Sequence, residues 1–121
     1  MAGTTFKVLT KTEYIIKINT IISEVEGLNS WAFITAWNPS PEIVNLEENR
    51  IRNKNLEDDI IKLGLKYSNG IGISADEQWS EESFFIENIS LDKANEWAAK
   101  YKQLAYVFGN KNEPANLIYT K

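Results

Sequence analysis

Residues 10–27 run TKTEYIIKINTIISEVEG, and the element assigned to them sets how many helices the fold carries. Thr10-Lys11-Thr12-Glu13 has the form of a capping box, with Thr10 as N-cap and Glu13 at the third helical position. Tyr14, Ile15, Ile18, Ile21, Ile22 and Val25 then recur at helical spacing, and Gly27 is a natural stop. The pattern predicts a core-packing helix.

Working outward, Phe6 and Val8 alternate with polar residues and predict a short strand before that helix. After it, Trp31-Ala32-Phe33-Ile34-Thr35-Ala36-Trp37 is apolar and rich in strand formers. That strand ends at Asn38-Pro39-Ser40-Pro41, where two prolines forbid continued pairing. Asn45 is placed to cap a second helix, with Glu48 at its third position and Gly64 as its stop. On a 100° wheel Asn49, Arg52 and Asn53 share one face with Leu56, Ile60 and Leu63. The stripe is thus polar at its start and apolar at its end, and its polar half is expected to overhang a cleft. Asp58-Asp59 falls on the outer face.

Ile71-Gly72-Ile73-Ser74 and Ser83-Phe84-Phe85-Ile86-Glu87 predict an antiparallel hairpin whose connecting loop carries Trp79. Glu81 and Glu82 point to opposite faces if extended, so only one of them can face a cleft. Ser90 caps a third helix with Ala94, Trp97, Ala98 and Tyr101 as its buried stripe. Leu104-Ala105-Tyr106-Val107-Phe108 and Leu117-Ile118-Tyr119 close the pattern as strands. The expected fold is one α+β domain over residues 1–121. It is a two-layer sandwich with a mixed β-sheet, in the order β-α-β-α-β-β-α-β-β with three helices.

Composition narrows the chemistry. At 43% hydrophobic and 25% charged, 121 residues can bury a core without staples. There are no cysteines, which excludes disulfides, thiolate nucleophiles and zinc-thiolate sites. There are no histidines, so the usual neutral-pH proton carrier is missing. The net charge of -4 gives no general attraction to nucleic acid or an anionic membrane. No apolar run approaches a membrane span, and no secretory leader is recognisable, so a cytoplasmic setting is expected. Dinucleotide, P-loop, zinc-protease and serine-hydrolase motifs are absent, and no cofactor or metal is implied.

Four stretches in order, FITAWNP (33–39), ENRIRNKNL (48–56), WSEESFFI (79–86) and KQLAYVFG (102–109), resemble the bacterial family called domain of unknown function 3293. The resemblance covers residues 12–109. It implies no established activity. It places the family's polar signature on Thr35, Asn38, Pro39, Asn49, Arg52, Asn53, Trp79, Glu82, Ser83 and Gln103. The chain departs from the pattern at Leu104, where a polar residue is typical, and at Pro41-Glu42, where a basic or serine-rich stretch is usual.

Three functions follow as expectations. In the first, Asn38, Asn49, Arg52, Asn53, Trp79, Glu82, Ser83 and Gln103 line a site for a small anionic or polar ligand such as a nucleotide or phosphate. Arg52 is then the charge partner and Trp79 the stacking wall. In the second, the chain is a protein-interaction or inhibitor domain in which Arg52 and Glu82 form an internal ion pair. In the third, a carboxylate-based or metal-assisted hydrolase, Glu82 is the base and Arg52 the transition-state stabiliser.

Overall fold

The computed structural model describes residues 3–120. Seven strands and two α-helices follow as β1 (Thr5–Val8), β2 (Tyr14–Ile16), β3 (Ser30–Ile34), α1 (Leu46–Leu63), β4 (Tyr67–Ile73), β5 (Ser80–Glu87), α2 (Leu91–Lys100), β6 (Ala105–Asn110) and β7 (Asn116–Tyr119). All seven strands form one sheet in the order β2-β1-β4-β5-β3-β6-β7. Every neighbouring pair in it is antiparallel. The expected three-helix, two-layer sandwich with a mixed sheet is therefore corrected to two helices and a single antiparallel sheet curled into a half-barrel.

The correction comes from residues 10–27. Tyr14–Ile16 is a strand paired with β1, and Ser23–Val25 is only a short 3-10 turn. Thr10 does not cap a helix; its hydroxyl donates to the Thr12 carbonyl at 2.8 Å. The apolar residues satisfy two periods at once. Read in twos, Ile16 is buried and Tyr14 and Ile18 half-buried, while Ile15 and Lys17 are exposed. Branched Ile side chains, five of them between Ile15 and Ile22, favour the extended reading.

Curling follows from contact between the two ends of the strand order. Ile18, just after β2, bridges Ala115, just before β7. Asn19 donates to the Ala115 carbonyl at 2.7 Å, and Ala115 donates to the Thr20 carbonyl at 2.9 Å. Strands at opposite edges touch only if the sheet bends round. The concave face then fills with its own side chains: Phe6, Val8, Ile16, Trp31, Phe33, Phe85 and Val107 form one buried cluster. Ile22, Val25 and Leu28 join that cluster and cover the end of the half-barrel nearest Trp31. Gly109 makes room for Trp31, because a Cβ there would collide with the indole.

The two helices lie on the convex face. Leu56 and Ile60 of α1 and Ala94, Trp97 and Ala98 of α2 pack on Ala32, Ile34, Phe84, Ile86 and Phe108. Both helices start as the sequence predicts. Asn45 accepts from the Glu48 N–H at 2.8 Å, and Ser90 accepts from the Lys93 N–H at 3.1 Å. Gly64 ends α1 in the left-handed conformation. Leu63, expected in the core, is half exposed in the last turn, where the buried stripe has already run out at Ile60. Among the described residues no helix is long and apolar enough to cross a membrane.

Candidate functional site

Asn49 and Asn53 are buried, as the helical wheel requires, and Asn53 also borders an open pocket of about 530 Å³ beside α1, shared with Arg50, Lys54, Glu82 and Ser83. They hold the loop that leaves β3. Asn53 accepts from the Ala36 N–H at 2.8 Å and donates to the Glu82 carbonyl at 2.7 Å. Asn49 accepts from the Asn38 N–H at 2.6 Å and donates to the Asn38 side-chain oxygen at 2.9 Å. Asn38 sits in the left-handed region at φ 47° and also accepts from the Val44 N–H at 3.0 Å. Arg52 donates through Nε to the Ala36 carbonyl at 2.7 Å and through Nη2 to the Tyr101 carbonyl. Its guanidinium lies 5.9 Å from the centre of the Tyr101 ring. Tyr101 closes α2, where the negative end of the helix dipole favours a cation.

This network leaves no unpartnered buried polar side-chain atom among the described residues. It uses Glu82 differently from the sequence expectation. Glu82 contributes its carbonyl to Asn53 and Thr35, while its side chain is exposed; the expected Arg52–Glu82 ion pair does not form. The cause is strand parity. In β5, Phe85 and Ser83 face the concave side, so Glu81 does too, and Glu82 falls on the helix side with Phe84 and Ile86.

The concave side has an opening of its own. Opposite the covered end, a cavity of about 500 Å³ opens at the mouth of the half-barrel. Phe6, Phe33 and Val107 form its floor; Thr35, Glu81, Ser83 and Gln103 add polar groups to its walls. Three large side chains stand around its rim well exposed: Trp79 at 61%, Leu104 at 68% and Tyr119 at 68%. Gly72 pairs with Glu81 across the β4–β5 ladder, and a Cβ on Gly72 would meet nothing within 4 Å. The cavity is thus partly the space of a side chain that Gly72 lacks. Glu81 is the one charged residue among the described residues lining it. Burial pushes the Glu81 carboxyl above its ordinary value of 4.5.

Of the residues expected in one site, Trp79, Ser83 and Gln103 line this mouth. Asn38, Asn49, Arg52 and Asn53 lie in the loop-holding network, and the Glu82 side chain turns to the convex side. Gln103 belongs to both, since its amide donates to the Trp37 carbonyl at 3.0 Å and the Tyr101 carbonyl at 3.2 Å. Phe6, Gly72, Glu81 and Tyr119 escaped the sequence reading. Period two from Phe85 was the signal that would have chosen Glu81. Gly72 and Tyr119 gave no such signal, because only curling brings their strands together.

Among the described residues no three of His, Cys, Asp and Glu cluster at metal-binding distance. No curated protein and no solved structure matches the chain. A family model described as "Protein of unknown function (DUF3293)" matches residues 34–106. That span runs from the end of β3 into β6 and takes in the whole of α1, the β4–β5 hairpin and Gln103, leaving out β1, β2 and β7. It covers more than half of the sequence, and the chain therefore belongs to the DUF3293 family.

Proposed function

We propose that this chain is a binding module whose ligand, a small molecule with an apolar body, sits in the mouth of the half-barrel. The observation that carries this is the convergence of Trp79, Leu104 and Tyr119, all exposed, around a cavity of about 500 Å³. Exposed large apolar side chains scattered singly need no explanation, but a cluster around a concave site marks a binding surface. A phosphate at the start of α1, expected from the sequence, has less to meet: Asn45 already caps the helix and Arg52 already holds two carbonyls. The mouth itself presents a carboxylate and no lysine or arginine among its described lining residues. A hydrolase built on Glu82 and Arg52 loses support too, since Arg52 is engaged with two carbonyls while the Glu82 side chain is exposed and does not pair with it. The proposal keeps the cytoplasm as the setting.

The test is a thermal-shift panel of small aliphatic and aromatic compounds on the wild type and on Gly72→Leu. Gly72 is not in the left-handed region and its missing side chain points into open space, so leucine fills the cavity without strain. A compound at 100 times its dissociation constant adds about 2.7 kcal/mol, roughly ten degrees for a domain of this size. The wild type should shift and Gly72→Leu should not, with its own midpoint unchanged or raised. No shift of the wild type across the panel overturns the proposal. The second reading, a protein-interaction domain, draws on the same exposed rim. It predicts the opposite pattern: a partner chain would still bind Gly72→Leu and would lose Trp79→Ala.

A further inference from the structure

We propose that the mouth of the half-barrel selects a cation, an amine or ammonium group carried on an apolar or aromatic body, with Glu81 as its counter-ion. The inference rests on the binding reading above and adds the charge of the ligand. Glu81 stands on the concave wall opposite Gly72, so no side chain across the ladder covers it. Among the described residues it has no ion-pair partner and no side-chain hydrogen bond. Burial is the whole cause of its raised pKa; no neighbouring charge contributes. A partly dehydrated carboxylate in an otherwise uncharged cavity is stabilised when a cation joins it.

The second observation is which polar atoms are still available. The Thr35 hydroxyl lies 2.6 Å from the Glu82 carbonyl, and the Ser83 hydroxyl lies 3.0 Å from the Glu81 carbonyl. A carbonyl only accepts, so each hydroxyl has committed its single hydrogen there; Ser83 offers the cavity its lone pairs, and Thr35 the one left beside the bond it accepts from the Trp37 N–H at 3.1 Å. Ser74 is similar, donating to the Asp76 carboxylate at 2.7 Å while accepting from the Trp79 N–H. The Gln103 amide nitrogen is held by two carbonyls, and its oxygen has no partner among the described residues. These four side chains therefore offer the cavity acceptors. Groups able to donate, the Trp79 indole and the Tyr119, Thr4 and Ser40 hydroxyls, line the same cavity without an internal partner for their hydrogens among the described residues. Phe33, Trp79 and Tyr119 supply aromatic surface on which a cation is attracted to the ring faces.

The experiment is calorimetric titration of the full chain with three ligands of one shape: phenethylammonium, phenethyl alcohol and phenylpropanoate. The ammonium should bind at least about tenfold more tightly than the alcohol, the scale of one hydrogen bond to a charged group. The carboxylate should bind most weakly. Glu81→Gln, which keeps shape and polarity, should erase the preference for the ammonium over the alcohol. An alcohol that binds the wild type as tightly as the ammonium overturns the cation assignment and leaves the binding module standing. So does a preference that survives in Glu81→Gln. If none of the three binds while the compound panel does shift the wild type, the assignment fails alone; if the panel fails as well, both fall.

Discussion

Asn53 stands where a strand would otherwise continue. The β3–β5 ladder pairs Ile34 with Phe84 and then stops, because the chain turns away toward Pro39. The Glu82 carbonyl, next in line on β5, takes hydrogen bonds from Asn53 and Thr35 instead of from a neighbouring backbone. Asn53 also accepts from the Ala36 N–H, so one amide side chain satisfies both broken edges. Removing it orphans the buried Ala36 N–H and takes from the Glu82 carbonyl one of its two donors. Asn53→Ala should cost about 1–3 kcal/mol in urea unfolding, the penalty for an orphaned buried donor. Asn53→Asp should not recover it, since a carboxylate cannot donate to Glu82. A loss under about 0.5 kcal/mol would mean that the loop is held elsewhere. This residue shows where sequence reading stops. The wheel placed Asn49, Arg52 and Asn53 inward because side-chain periodicity is written in the letters. Their partners are mostly backbone carbonyls and N–H groups, which every residue carries and no letter marks.

At the scale of elements, the helices were legible and the first strand pair was not. Asn45, Ser90 and Gly64 act through local capping geometry, which depends on a few neighbouring residues. Tyr14–Ile16 is fixed by pairing with a strand and by the concave core it helps to fill, and both arise from distant residues. The α1–α2 contact is another case. Asp59, placed on the outer face of α1 by the sequence, accepts from Lys100 Nζ at 2.8 Å and from the Tyr101 hydroxyl at 2.6 Å. Burial alone would raise its pKa, but those two bonds and the Lys100 charge outweigh it and hold the carboxyl below its ordinary value. A depressed acid stabilises the fold above its unfolded pKa, and that contribution disappears as pH falls through the folded one. Wild type should therefore exceed Asp59→Asn in stability at pH 7, and the gap should close as urea titrations move below about pH 4. A gap that does not change with pH would show that the charge of Asp59 contributes nothing to the helix pair.

For the whole molecule, one sheet is shared by two cores. The helix-side cluster and the concave cluster use alternate residues of the same strands: Ala32 and Ile34 against Trp31 and Phe33, Phe84 and Ile86 against Phe85. Neither core can dissolve without removing half of every strand that carries the other. Leu56→Ala on one side and Val107→Ala on the other should each lower a single transition by about 2–4 and 1–3 kcal/mol. Far-UV dichroism and tryptophan fluorescence should fall together in both variants; separate transitions would show two independent units. The clasp between Ile18 and Ala115 has a different bearing. A flat seven-stranded sheet presents two open ladders on which foreign chains can grow. Here the two ladders turn toward each other, and Asn19, Thr20 and Ala115 occupy part of both. The molecule thus guards part of each edge against templated aggregation by geometry, with Ala115, just before its own last strand, taking a place that an invading copy would need.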